Sequence, residues 1–316
     1  MKFLFISSSY VGSTGNHALM LANRLATYGH EVEKMEVPYI PIKNLKNPSF
    51  TILSSLKGLF STKNYDIVHA FNVPSAFAMR FAKGKKKVLS IHGVYSENIK
   101  IIHSEKLGWI GVLAESKALT WADRFITDSR ATQKEYKEKF DIDFEYLPTP
   151  IDPSKFENIP KKTKVKNQVV YVSRDSYEKG IDILKKAESK IKGKVVYCTD
   201  LPWSEAMCVL QSSSVLVLPS RLESLPTTVK EAFFLKIPVV ATNVGGVPEL
   251  IKNNENGILV PPNNPKKLAE AVNTILVNKE LAQRLANLGY EFVTSHMIWD
   301  VVLPKYLKFY QNLIEN

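Results

Sequence analysis

VLVLPSRLESLPTTVKEAFFLK, Val215 to Lys236, is the stretch whose reading decides the fold. Four apolar residues run straight into a Pro-Ser turn, as in a buried strand, and the apolar residues of TTVKEAFFLK then return at helical spacing. Pro226 suits a first helical position. A strand that turns directly into a helix is half of a strand-helix-strand unit. Its turn, Glu223 to Glu231, is framed by two carboxylates. Backbone N–H groups at a helix start lack intrahelical partners and attract phosphate, and each carboxylate accepts hydrogen bonds from the vicinal hydroxyls of a sugar or ribose. Read alone, the nonapeptide is equally an N-capped amphipathic helix with two solvated acids.

The same alternation extends in both directions. Upstream, KFLFIS is a strand, a turn holds Gly12 and Gly15, HALMLANRLATYG is a helix closed by Gly29, and HEVEKMEV is a second strand. YDIVHAF, PSAFAMRFAKG, KVLSIHG and RFITDS continue as strand, helix, strand and strand. A second series opens with NQVVYVSR, KGIDILKKAESKIKG and KVVYC, and runs through PWSEAMCVLQSS and the deciding stretch to PVVAT, GGVPELI and NGILV. Three helical stretches close the chain. The pattern predicts an α/β protein with two mostly parallel sheets, each covered by helices, with ligands beyond the carboxyl ends of the strands. PTPIDPSKFENIPKKTKVK turns to Pro, Lys and Asp without apolar periodicity and reads as the linker. We therefore expect domains at 1–152, joined by a C-terminal helix at about 299–316, and at 165–298, with a cleft between them.

Composition narrows the class. At 316 residues the chain suits two cores, and 45% hydrophobic content is that of a globular protein. Cys198 and Cys208 match no zinc or redox spacing and read as buried apolar side chains of a reducing compartment. The apolar run at the N-terminus is too short for a signal peptide, and no stretch approaches the roughly 20 apolar residues of a membrane span. The expectation is a cytoplasmic protein, folded from residue 1. Of the net charge of +11, residues 43–117 carry twelve Lys or Arg against four acids. Such a patch favours an anionic partner, either a membrane surface or a phosphate-bearing acceptor, and no nucleic-acid reading motif accompanies it. Within the patch, Phe50 to Phe60 places Ile52, Leu53, Leu56, Leu59 and Phe60 on one helical stripe. The stronger reading packs that stripe on the sheet; the other leans it on a membrane.

Taken in order, these segments resemble the retaining glycosyltransferases of family 4, with the GT-B architecture of two Rossmann-like domains. The resemblance is carried by V-S-R-D-S-Y-E-K-G at 172–180, L-P-S-R-L-E-S-L-P-T-T-V-K-E-A at 218–232, P-V-V-A-T-N-V-G-G-V-P-E-L-I at 238–251 and N-G-I-L-V-P-P at 256–262. It implies that Arg174 and Lys179 bind the diphosphate of a nucleoside diphosphate sugar and stabilise charge on the leaving phosphate. Glu231 holds the ribose, Glu223 orients the transferred sugar, and Leu201 packs the base. Ser224, Leu225 and Thr227 offer backbone N–H groups to phosphate, whereas Pro226 has none to give. In the first domain Gly12 approaches the donor phosphate, with Ser13 replacing the family's second glycine, and His92 contacts the sugar. A hydrogen-bonded structural role is the other reading of His92.

The motif region holds no Asp-x-Asp pair, and the resemblance implies metal independence, no cofactor, and an acceptor that is a glycan or lipid-linked hydroxyl. Between KVVYC and LPWSE only Thr199 and Asp200 intervene, where the family has a further turn, helix and strand. An epimerase or phosphorylase on the same fold, and a noncatalytic nucleotide-sugar-binding protein, are the alternatives. A phosphorylase needs a pyridoxal lysine and a longer chain, an epimerase an acid-base pair for elimination, and a binder tolerates a damaged donor site.

Overall fold

A computed structural model describes residues 1–8, 12–37, 40, 46–95, 97 and 105–315. The chain divides into two compact units, Met1–Pro148 with Leu303–Asn316, and Thr149–Val302.

In the first unit β1 (Lys2–Ile6) leads to α1 (Gly12–Thr27) and β2 (Glu31–Met35), then α2 (Lys46–Phe60), β3 (Asn64–Ala70), α3 (Val73–Phe81) and β4 (Lys83–Ser90). After α4 (Glu105–Leu119), β5 (Arg124–Thr127), α5 (Arg130–Phe140) and β6 (Glu145–Tyr146) complete a six-stranded sheet in the order β2-β1-β3-β4-β5-β6, parallel throughout. Parallel neighbours require crossovers, and right-handed crossovers put α2, α3, α4 and α5 on one face. α1 therefore starts at Gly12, so Gly12 and Gly15 stand in the helix's first turns rather than in the turn before it.

The second unit begins with α6 (Ser154–Glu157) and continues through β7 (Gln168–Val172), a 3-10 turn at Tyr177–Lys179, α7 (Ile181–Glu188), β8 (Lys194–Cys198), α8 (Trp203–Ser212) and β9 (Val215–Leu218). It closes with α9 (Thr227–Phe234), β10 (Val239–Thr242), α10 (Val247–Leu250), β11 (Ile258–Val260), α11 (Pro265–Val277) and α12 (Lys279–His296). Its sheet runs β11-β10-β9-β7-β8, again parallel. Val215–Leu218 is buried along its whole length at the centre, so alternate residues feed two separate cores. β8 is an edge strand that passes through Thr199 and Asp200 directly toward α8, in keeping with the short connection in the sequence.

The last helix, α13 (Trp299–Glu315), starts in the second unit and belongs to the first from Leu303 onward. Tyr306 and Tyr310 are fully buried in the first unit: the Tyr306 hydroxyl meets His17 Nε2 at 3.1 Å and donates to the Leu147 carbonyl, and the Tyr310 hydroxyl meets His69 Nδ1 at 2.8 Å.

Two sequence readings change. The first part of the stretch read as a linker, 149–159, is structured, whereas 160–166 is exposed and irregular: the Ile151 N–H donates to the Met297 carbonyl at 2.8 Å, and Ile151, Phe156 and Ile159 join the second core. Apolar anchors three to eight residues apart escape a search for helical or strand periodicity. The apolar stripe of α2 does not pack on the sheet either. Phe50, Ser54 and Gly58 are the buried face, and Ile52, Leu53, Leu56, Leu59 and Phe60 are exposed. A Cβ on Gly58 would stand 2.9 Å from the Ala78 carbonyl oxygen, so the small residues let α2 settle closely on α3 and turn the large ones outward. Both cysteines are buried and free.

Candidate donor site of the second unit

The carboxyl ends of β7 and β9 lie in the same sheet, two neighbouring parallel strands, and the turns that leave them bring the motif residues together. After β7 the chain passes Arg174 and coils through Tyr177–Lys179 to Gly180, whose φ of 66° is a left-handed conformation that favours glycine. A Cβ there would approach the Pro219 carbonyl oxygen to 2.1 Å, so the turn after β7 rests on the turn after β9. Arg221 locks the two. Its guanidinium forms a fork with Asp182 at 2.7 and 2.8 Å, donates to the Tyr177 carbonyl and stacks on the Tyr177 ring at 4.0 Å. That fork holds the Asp182 carboxyl below its ordinary range and the guanidinium above its own.

Within this frame the Lys179 ammonium donates to Glu223 Oε1 at 2.8 Å, and the Ser220 hydroxyl donates to the same oxygen at 2.8 Å. Both charged side chains are largely shielded from solvent. An ammonium carries three donors, so Glu223 occupies one and leaves two for another anion. Gly245, at φ 49°, presses on the backbone of Glu223: its Cβ would lie 1.8 Å from the Glu223 carbonyl oxygen. Arg174 is placed differently from Lys179. Its side chain is 72% exposed and reaches Glu178 Oε1 at 3.2 Å, while the buried Glu178 also accepts from the Ser176 hydroxyl at 2.7 Å. The structure thus joins Lys179 to Glu223 and leaves the Arg174 guanidinium on a neighbouring carboxylate at the mouth of the same turn.

One helical turn into α9, Glu231 is buried. The Trp203 indole N–H donates to its Oε1 at 2.7 Å. Burial raises the Glu231 carboxyl above its ordinary value; the indole hydrogen bond and the charges of Lys230 and Lys155 oppose that in part. Lys230 is itself fully buried and donates to the carbonyl and hydroxyl oxygens of Thr149. Leu201 is exposed and Leu225 buried, with Ser224 and Thr227 between those extremes.

Sequence reasoning missed Trp203, Glu178 and Arg221. Trp203 follows Leu201-Pro202, and a tryptophan two residues beyond a base-packing position was the available signal. It also passed over one Asp-x-Asp pair, Asp141 and Asp143. These carboxylates sit in the first unit beyond α5, both exposed and both bound to the Lys137 ammonium at 2.9 and 3.0 Å. Among the described residues no group of three or more His, Cys, Asp or Glu is gathered as a metal site.

In the first unit His92 and Asp128 follow the neighbouring parallel strands β4 and β5. His92 Nδ1 lies 3.1 Å from Asp128 Oδ2, both side chains are buried, and among the described residues His92 Nε2 has no hydrogen-bond partner. This pairing selects the tautomer with hydrogen on Nδ1 and leaves Nε2 as an acceptor. His17 Nε2 meets the Tyr306 hydroxyl, His69 is satisfied within the core by Ser90 and Tyr310, and burial holds His69 well below its ordinary value. His30 meets the N-terminal amine at 3.3 Å. His103 and Lys43 lie outside the described residues, as does the side-chain surrounding of Gly12.

Two parallel sheets covered by helices, with the motif residues gathered at the strand ends of the second, make a pair of Rossmann-like units. The comparisons agree. The family described as Glycosyltransferase Family 4 matches residues 14–155, and that described as Glycosyl transferases group 1 matches residues 188–292. An uncharacterized glycosyltransferase of Methanocaldococcus jannaschii is 23% identical over an alignment of 395 positions, covering 100% of this chain and 99% of that protein. An alignment so much longer than the chain means that the relative carries stretches this one lacks. Among solved structures, sucrose-phosphate synthase of Thermosynechococcus elongatus matches with a TM-score of 0.82 at 19% identity, covering all of both chains. Anabaena HepE in complex with UDP-glucose matches with a TM-score of 0.75 at 17% identity, covering 99% of this chain and 100% of that one. The chain belongs to the family 4, group 1 glycosyltransferases of GT-B fold, and it is an enzyme of that kind.

Proposed function

We propose that the chain moves a glycosyl unit from a nucleoside diphosphate sugar to a hydroxyl of a glycan or lipid-linked acceptor, with retention of configuration and without metal or cofactor. The acceptor oxygen forms a bond to the anomeric carbon, the bond from that carbon to the diphosphate breaks, and the acceptor's proton passes to the departing phosphate oxygen. The observation that carries this reading is the 2.8 Å contact between Lys179 and Glu223, held by turns that Gly180, Arg221 and Gly245 fix. A cation already in place costs no reorganisation when charge develops on the leaving group, and it stabilises that charge more than the ground state. Arg174 adds a second cation to the diphosphate, which takes the role a divalent ion would otherwise fill. Glu223 orients the sugar through its hydroxyls and is not a nucleophile. Glu231 takes the ribose, Leu201 packs the base, and the N–H groups of Ser224, Leu225 and Thr227 turn to phosphate, as does the backbone of Gly12 in the role the resemblance gives it. His92 offers Nε2 to a sugar hydroxyl, with Asp128 holding its tautomer. The enzyme works in the cytoplasm, peripherally at the inner face of a membrane.

The HepE complex was solved with UDP-glucose, which makes a UDP-sugar the first donor to try. Thermal stabilisation by a panel of UDP-, GDP- and ADP-sugars identifies the donor, since a ligand that binds only the folded protein raises its apparent stability by mass action. Release of nucleoside diphosphate by that donor in EDTA, with the anomeric configuration of the product read by NMR, then supports the reading. Activity that EDTA abolishes and magnesium restores sinks the metal-free part. Stabilisation without turnover, with every acceptor class, would favour a noncatalytic binder.

A further inference from the structure

α2 is amphipathic with the wrong side out. Its buried face, Phe50, Ser54 and Gly58, is mostly small, whereas Ile52 and Phe60 are 62% and 77% exposed and Leu53, Leu56 and Leu59 stand exposed between them. α2 packs on α3 and α3 on α4, so the three lie side by side in one layer. α4 adds Trp109, 66% exposed, with Ile110 and Leu113. Scattered apolar residues at a surface need no explanation, but five on α2, Phe81 on the intervening α3 and three on α4 put nine exposed large apolar side chains on one helical layer, a concentration of the kind that marks an interaction surface.

Charge decides what the surface meets. Residues 43–117 carry twelve Lys or Arg and four acids. On the layer itself, among the described side chains of α2, α3 and α4, Lys57, Arg80 and Lys117 are exposed and the one acid, Glu115, is fully buried, so nothing there opposes an incoming anion. Lys57, in the last turn of α2, donates to the Glu36 carbonyl, and Lys117 is exposed at the end of α4. A second copy of the chain would bring an equally positive patch against this one. An anionic bilayer surface brings the opposite sign, together with an apolar interior for large side chains.

We propose that the layer of α2 and α4 seats the protein on an anionic lipid surface, with Leu56, Leu59, Phe60, Trp109 and Ile110 entering the headgroup-acyl boundary and the lysines meeting lipid phosphate. Among the described residues no helix is long and apolar enough to cross a membrane, so the contact is interfacial. The inference is independent of donor and acceptor and stands or falls without an activity assay.

Flotation of the full chain with phosphatidylcholine vesicles, and with the same vesicles containing phosphatidylglycerol, tests it. Binding is expected to the anionic vesicles only, to weaken as salt rises, and to fall at least about tenfold in the Leu56→Glu, Phe60→Glu double variant. These side chains are exposed, so thermal stability should stay at the wild-type value and separate loss of binding from loss of fold. Tryptophan emission should move to shorter wavelength with anionic vesicles, and that shift should shrink in Trp109→Phe. Equal binding to neutral vesicles, no binding to anionic ones, or binding that the double variant leaves intact overturns the proposal. A doubled mass in light scattering that the double variant halves also overturns it, assigning the face to a second copy.

Discussion

Lys179, Glu223 and Glu231 are three charged side chains withdrawn from water, and each is stable because a particular neighbour meets it. Removing Lys179 strips Glu223 of its counter-ion and, in the proposed mechanism, the leaving phosphate of its cation. Lys179→Ala is expected to lower kcat by about 100-fold or more, the scale of a lost preorganised donor, with a smaller change in donor affinity. Unchanged kcat would remove the lysine from the chemistry. Glu231 makes a prediction about pH. Its carboxyl is raised in the fold, so its own contribution to stability is full below the unfolded value and is lost as pH rises through the raised folded value. In the role proposed for it, ribose binding runs the opposite way, because the ionised carboxylate is the better acceptor. Donor affinity should therefore fall on acidification at a pH above the ordinary glutamate range, and Glu231→Gln should bind more weakly with that pH dependence gone. Calorimetric titration of the donor across this range checks both. His92 is tested through its partner. Asp128→Asn presents an amide that allows the other tautomer, and it should lower kcat while imidazole nitrogen shifts show hydrogen moving to Nε2. A lowered kcat with unmoved shifts would mean that Asp128 acts otherwise. The Lys179–Glu223 contact joins two turns 44 residues apart and is not visible in the sequence; Arg174 with Lys179, and Glu223 with Glu231, were singled out there as candidates because each pair is a local spacing. Trp203 was not, because its contact with Glu231 spans 28 residues and depends on how α8 lies against α9.

At the scale of elements, every strand but the two-residue β6, and most helices, were legible, because buried parallel strands are largely apolar runs and covering helices carry an apolar stripe. α5 shows where that rule stops. RATQKEYKEKF is polar on nearly every side, with Thr132 and Tyr136 its buried residues, so no stripe announces it; only the Ser129 cap, accepting from the Thr132 N–H, marks its start. α2 shows the opposite failure, a clear stripe that points away from the core. The turns are governed by glycine. Gly245→Ala would set a methyl group 1.8 Å from the Glu223 carbonyl oxygen at a φ of 49°. It should cost about 1–3 kcal/mol of stability and weaken donor binding as well, because relief of the clash moves Glu223. A variant with wild-type melting temperature and donor affinity would show that the turn relaxes without disturbing the site.

The whole chain is tied by its last helix. α13 leaves the second unit at Val302, and its remaining turns supply buried core to the first, far in sequence from the strands they cover. Tyr310 packs edge-on against Phe3 at 5.0 Å and meets His69, and Tyr306 meets His17 and the Leu147 carbonyl. Each buried aromatic removed from a core costs about 3–5 kcal/mol, so losing both comes to much of the roughly 5–15 kcal/mol that holds a domain folded. His69 would also lose one of its two partners, leaving a buried polar nitrogen unpaired. A chain that ends at Val302 should therefore lose amide protection in β1, β3 and β4, while β7, β9 and β10 keep theirs because their two cores are built from residues between 151 and 297. Hydrogen exchange followed by mass spectrometry reads the two units separately. Equal loss in both would mean that the second unit does not hold its fold alone, and full protection in both would show that α13 contributes little to the first core. Restoring residues 303–316 with Tyr306 and Tyr310 both changed to Phe should return most of the protection, since the rings remain and only the hydroxyl contacts to His17, Leu147 and His69 are lost.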